Sequence, residues 1–266
     1  MTGTVPTSSI VSMAVSCLIG FAIPAVLFVY FRRKKGADIF PFFIGCAVML
    51  VFALILESAV HRVVLSSALG AAIRGNIWLY ALYGGVMAGL FEETGRFIAF
   101  KTVLRNRQAK DANALMYGAG HGGFEAAALL GISMINNLAY SFMINSGNAA
   151  ALTGSLPAGQ LAQVEAAIQG LITAPSYQFL LGGVERIFAV MLQLSLSVLV
   201  WFAAKHRGRR HLYPLAILIH LAVDAVAVVL SGSGMPAILV EAVVGVMAIL
   251  VAVYARRVWS VDADPA

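Results

Sequence analysis

The stretch IWLYALYGGVMAGLFEETGRFIAF, residues 77–100, decides how the chain is read. As a helix it is long enough to cross a bilayer, which takes about 20 residues. Yet Glu92, Glu93 and Arg96 stand inside it. A charge in hydrocarbon costs at least ~2.5 to 3.5 kcal/mol even on the gentlest scale, so such residues face a bundle interior and have a task there. Two other apolar segments repeat the pattern, one with His121 and Glu125, the other with His220 and Asp224. Each pair, like Glu92 and Arg96, is spaced i, i+4 and projects from one helix face. A water-using site inside a membrane is the first hypothesis these residues raise.

Working outward, the whole chain is apolar. Of its 266 residues 61% are hydrophobic and only 11% charged, against about 25% charged in soluble domains. Only helices and closed barrels satisfy the backbone in lipid, and long apolar runs exclude a barrel. The expected fold is all-α: one membrane-embedded domain over residues 1–266 with about seven spans. These fall at about 8–31, 40–60, 76–104, 112–143, 177–203, 211–231 and 235–255. Residues 146–176 read as an external loop holding one short helix, Gln160 to Ile172, on the interface. The tail at about 260–266 reads as disordered.

The net charge of +6 does not point to nucleic acid, because the basic residues gather at segment ends and lack interleaved aromatics. Clusters at Arg32–Lys35, Lys101–Lys110, Lys205–Arg210 and Arg256–Arg257 fall on one side, while Arg62 and Arg74 fall on the other. That asymmetry puts the N-terminus outside and the C-terminus in the cytosol of a multi-pass cell-membrane protein. The first span lacks a preceding basic region and reads as a retained anchor. Cys17 and Cys46 lie in spans and read as small buried residues, not a disulfide or metal pair.

Counted from the cytosolic end at ~1.5 Å per residue, Arg96, His121 and His220 lie about 14 Å deep, and Glu92, Glu125 and Asp224 about 20 Å. Gln193 falls in the same layer. A shared depth on three helices points to a shared cavity. Glycines accompany it: Gly85 and Gly89 precede Glu92, and Gly118, Gly120, Gly122 and Gly123 surround His121. GxxxG spacing lets helix backbones approach closely. Glu185 and Arg186 lie nearer the outer side and read as structural. Glu57 and His61 read as an interfacial pair.

Glu92-Glu93-Thr94-Gly95-Arg96 resembles the paired-glutamate motif of CAAX-protease-like intramembrane proteases. Gly120-His121-Gly122-Gly123-Phe124-Glu125 and His220-Leu221-Ala222-Val223-Asp224 suggest a branch. In this ordered set the chain resembles the YhfC family of intramembrane metalloproteases, grouped with CAAX-type and PrsW-type proteases and the APH-1 scaffold subunit. The resemblance covers nearly the whole chain, including Glu185-Arg186. It implies that Glu92 or Glu93 activates water and that Arg96 orients a glutamate. It further implies that His121 joins the water site and that His220 and Asp224 complete it. The family often has a histidine near Gln193, and a glutamine there weakens the case for a metal.

Two mechanisms follow. In one, His121, His220, Glu92 and Asp224 bind zinc, which lowers the pKa of its water to about 7. In the other, a glutamate and His121 activate water directly. The expected activity is an intramembrane endopeptidase acting on a peptide or membrane-protein substrate in contact with lipid. A proton- or ion-coupled transporter and a non-catalytic scaffold are the alternatives.

Overall fold

A computed structural model describes residues 3–154 and 157–264. Every regular element among them is helical. In chain order the long helices are α1 (Thr7–Lys34), α2 (Phe40–Ser66), α3 (Ile77–Lys101), α4 (Ala112–Asn145), α5 (Ala158–Thr173), α6 (Ser176–Lys205), α7 (Leu212–Gly232) and α8 (Ala237–Asp262). A short helix, Ala68–Arg74, joins α2 to α3.

Among the described residues six segments are long and apolar enough to cross a membrane, those of α1, α2, α4, α6, α7 and α8. Helix α3, at 25 residues, spans about 37 Å. It misses that standard because Glu92, Glu93, Arg96 and Lys101 dilute its apolarity. The expected third span is thus a helix of spanning length whose own polar residues hide it from a hydropathy criterion. Helices α2 and α4 are not regular throughout. They widen to π-helical turns at Met49–Glu57 and Ala126–Ile132, a device that occurs frequently at functional sites.

The chain forms two compact units by contact. One comprises residues 1–22 and 126–186, the other residues 23–125 and 187–266. In the first, α5 is two residues longer at its start than expected. On it, Ile168 and Leu171 are buried with Val5, Met13 and Ile144. Glu185 and Arg186 pair with each other, Arg186 Nε donating to Glu185 Oε2 at 2.6 Å.

The second unit holds all the other expected site residues. Its core packs Phe100, Tyr117, Leu196, Leu199, Trp201 and Phe202, all fully buried. Of the tail expected at about 260–266, residues 260–262 continue α8, Asp264 is hydrogen-bonded, and residues 265 and 266 lie outside the described residues. Lys205 Nζ donates to Asp264 Oδ2 at 2.7 Å, and Arg209 Nε to Asp262 Oδ1 at 2.9 Å. Acids in the tail meet the basic α6–α7 loop, a complementarity invisible along one strand of sequence. At the same end Gly36, with φ +65°, makes the turn from α1 to α2 that a side chain would strain. The Lys110 ammonium, 2.9 Å from Asp38, holds that carboxyl below its usual pKa.

Glycine sets how close the helices come. A Cβ on Gly85 or Gly89 would strike the α7 backbone, at Leu221 O (2.6 Å) and Ile217 O (2.7 Å). Helix α4 is bare on three sides. A Cβ on Gly120 would strike the Phe42 carbonyl of α2, one on Gly122 would lie 2.9 Å from Gln193 Cβ of α6, and one on Gly123 would lie 2.6 Å from Pro24 Cβ of α1. Gly45 of α2 returns the contact, against Tyr117 O and His121 N. Both backbones have reached their limit there, so no rotamer change makes room.

Gly120→Ala is therefore expected to destabilise the purified protein by about 1 to 3 kcal/mol, measured as a lower unfolding temperature in detergent. Gly84→Ala is the control: an added methyl meets nothing within 4 Å, and helix propensity then favours it by up to about 1 kcal/mol.

Candidate functional site

Four helices of the second unit deliver polar side chains to one buried network. Its hub is Arg96, fully buried on α3. Arg96 Nη1 donates to Glu93 Oε1 at 2.7 Å and Oε2 at 2.6 Å. Its Nη2 donates to Gln193 Oε1 on α6. With its oxygen so occupied, the Gln193 amide must point its nitrogen the other way. Gln193 Nε2 donates to Glu92 Oε2 at 2.8 Å and to Glu125 Oε2 at 3.1 Å. Glu92 Oε2 also lies 2.9 Å from His121 Nε2 on α4. Glu93 Oε1 lies 2.9 Å from His220 Nδ1 on α7, and His220 Nε2 lies 3.6 Å from Asp224 Oδ2.

The expected layer is thus a connected set, but two of its expected pairings change. Arg96 pairs with Glu93, at i, i+3, and not with Glu92. His121 pairs with Glu92 across helices, while Glu125, the neighbour expected at i, i+4, hydrogen-bonds Gln193. The reason is geometric: same-face spacing puts two side chains near each other, and a partner from a packed helix can still lie closer. Only His220 and Asp224 keep their helical pairing. Gln193, singled out as a departure from the family pattern, is the joint between α3 and α4.

The surroundings are asymmetric. Tyr117 stacks on the His121 ring at 5.9 Å, and Phe100 meets Tyr117 and Trp201 edge-on at 4.6 and 5.0 Å. All three aromatics are fully buried. Asp111 closes this end, accepting from Trp201 Nε1 and from Lys205 Nζ, both at 2.8 Å. At the other end the Asp224 side chain is 37% exposed. The centre is sealed on the side of the α6–α7 loop and opens at Asp224.

Two buried nitrogens have no hydrogen-bond partner, His121 Nδ1 and Arg96 Nε. An orphaned imidazole nitrogen beside a carboxylate is donor chemistry that suits a transition metal. So is His220, whose Nδ1 is oriented by Glu93 while Nε2 faces Asp224, the second-shell arrangement usual for metal-bound histidine. Among the described residues, however, no three His, Cys, Asp or Glu side chains gather as a ready metal site. The donor set fits zinc by type and in pairs, with Gln193 committed elsewhere.

Such a chain is a multi-pass helical membrane protein with an acid–imidazole centre inside its bundle. The model of the YhfC intramembrane metalloprotease family matches residues 19–253, and the chain belongs to that family. It is 41% identical over 224 residues to a protein of Bacillus subtilis (strain 168) described as uncharacterized membrane protein YhfC, over 83% of this chain and 84% of that one. No solved structure matches the chain.

Removing the hub tests the network. Arg96→Ala leaves Glu93 buried without its cation, which is expected to cost about 3 to 5 kcal/mol. Arg96→Lys is expected to recover only part of that, because one ammonium cannot present the planar fork that reaches both Glu93 and Gln193. Thermal unfolding of the two purified variants measures both.

Proposed function

We propose that this protein is an intramembrane endopeptidase of the cell membrane, with Glu92 as general base. The observation that supports the choice is the unequal bonding of the two glutamates. Both oxygens of Glu93 are engaged by Arg96, and one also by His220. Glu92 meets only His121 and an amide through a single oxygen, Oε2. Glu93 is then a positioning residue that holds Arg96 and His220, and Glu92 is free to take a proton.

In this reading a water beside Glu92 and His121 gives its proton to the Glu92 carboxylate as its oxygen bonds to the scissile carbonyl carbon. His220 stabilises the oxyanion that forms. The carbon–nitrogen bond then breaks, and the proton held by Glu92 passes to the leaving amine. A zinc ion held by one such pair, His220 with Asp224, would lower the pKa of its water to about 7. Gln193 and Glu125 keep Glu92 in register. A cleft of about 500 Å³ between α3 and α7, lined by Trp78, Leu82, Val226, Val229 and Leu230 among others, begins just past Asp224 and suits an apolar peptide or membrane-protein segment.

Glu92→Gln, His121→Ala and His220→Ala are each expected to lower cleavage by about a hundredfold or more while the protein still accumulates in the membrane. Wild-type cleavage by all three overturns the reading. In the same preparations, metal analysis is expected to find zinc in the wild type and its loss in His220→Ala.

The basic clusters support an external N-terminus and a cytosolic C-terminus. A fluorescent protein fused after Ala266 is expected to fluoresce, and a phosphatase fused there to be inactive. The reverse pattern would invert the topology.

A further inference from the structure

Besides Asp111, a second buried acid stands outside the network. Glu57 closes the π-helical stretch of α2 and is 8% exposed. Its Oε1 lies 3.1 Å from His61 Nε2, and His61 Nδ1 lies 2.9 Å from the Tyr83 hydroxyl of α3. Imidazole and phenol meet edge-on, 5.3 Å between ring centres. Inward, the π-helical stretch that Glu57 closes packs against α3, the helix that carries Glu92 and Glu93. Outward, the His61 side chain is 30% exposed. The row therefore runs from a buried carboxylate, on the stretch of α2 that packs against α3, to a partly exposed imidazole.

An interfacial ion pair would need only one imidazole nitrogen. His61 uses both, one toward a buried carboxylate and the other toward a hydroxyl. A ring so held can gain a proton at Nδ1 and release one from Nε2, because each nitrogen can serve as donor or acceptor.

We propose that Glu57, His61 and Tyr83 form a proton-exchange path between the outer face and the buried centre, with Glu57 as its inner station. In each passage a proton from solvent, arriving by way of the Tyr83 hydroxyl, forms an N–H bond at His61 Nδ1. The Nε2–H bond breaks and its proton joins Glu57 Oε1, while the Tyr83 oxygen, having passed its own proton to His61, is reprotonated from solvent, so one net proton moves inward. The reverse sequence returns it. Glu57 is a positioning and proton-holding residue here, not a group that touches substrate. Its value to a centre sealed at the opposite end rests on the endopeptidase reading, but the path can be tested without cleavage.

The test uses the full chain in lipid vesicles, followed by infrared spectroscopy after a step in external pH. A carboxylic-acid carbonyl band that is absent from Glu57→Gln and shifted in Glu57→Asp is expected to respond to the step. His61→Phe and the milder Tyr83→Phe are expected to slow that response by about tenfold or more. An unchanged rate in His61→Phe, or no band assignable to Glu57, overturns the path. If the band behaves as expected while the wild type cleaves no peptide, the path stands and the endopeptidase reading falls. If the wild type cleaves while no Glu57 band responds, the path alone falls.

Discussion

The guanidinium of Arg96 is the constraint on which the rest depends. It is the fully buried cation of a network that also holds Glu92, Glu93 and Asp224. Burying ions costs several kcal/mol each, and attraction offsets that only where geometry is good and the remaining hydrogen bonds are made. Here one cation meets both oxygens of Glu93 and the oxygen of Gln193. The second contact fixes which way the Gln193 amide points, and so fixes the partner of Glu92. A single charge on α3 thereby sets the orientation of groups on α4, α6 and α7.

Such contacts need close backbones, and the glycines of α3 and α4 supply them. Gly85 and Gly89 bring α7 to within a methyl group of α3, one and two turns before Glu92 and Glu93. Gly120 and Gly122 flank His121 and let α2 and α6 approach on either side. In lipid no hydrophobic force draws helices together, so packing and polar bonds must do it. The same residues that make the centre also hold its helices together, which is why Arg96 and Gly120 bear on stability as well as on the geometry of the centre.

Much of this was legible along the chain. Apolar length gave the spans, and the shared depth of Glu92, His121 and His220 pointed to one layer. What spacing could not give was the partner of each group, because i, i+4 describes neighbours on one helix and the strongest bonds here join different helices. Arg96 turned to Glu93, and His121 to Glu92. Glu57 was legible as a partner of His61 but not as a buried acid on the stretch of α2 that packs against α3. The π-helical turns before it shift the helix phase, so counting 3.6 residues per turn misplaces its face. The contacts of Asp262 and Asp264 were hidden for a similar reason: their partners, Arg209 and Lys205, lie more than fifty residues away along the chain.

Gln193 shows why an imidazole would not do the same work. A neutral imidazole offers one donor and one acceptor. Gln193 accepts from Arg96 and donates to both Glu92 and Glu125 through the two hydrogens of one nitrogen. A histidine accepting from Arg96 would have one donor left and would lose one of the two acids. A protonated one would repel the guanidinium it has to face. A glutamine at this place therefore gives up a zinc ligand and gains a three-way joint. The division of labour follows from that exchange: α6 holds the acids in register, and any cation the centre takes must be bound by the histidines and acids of the other helices.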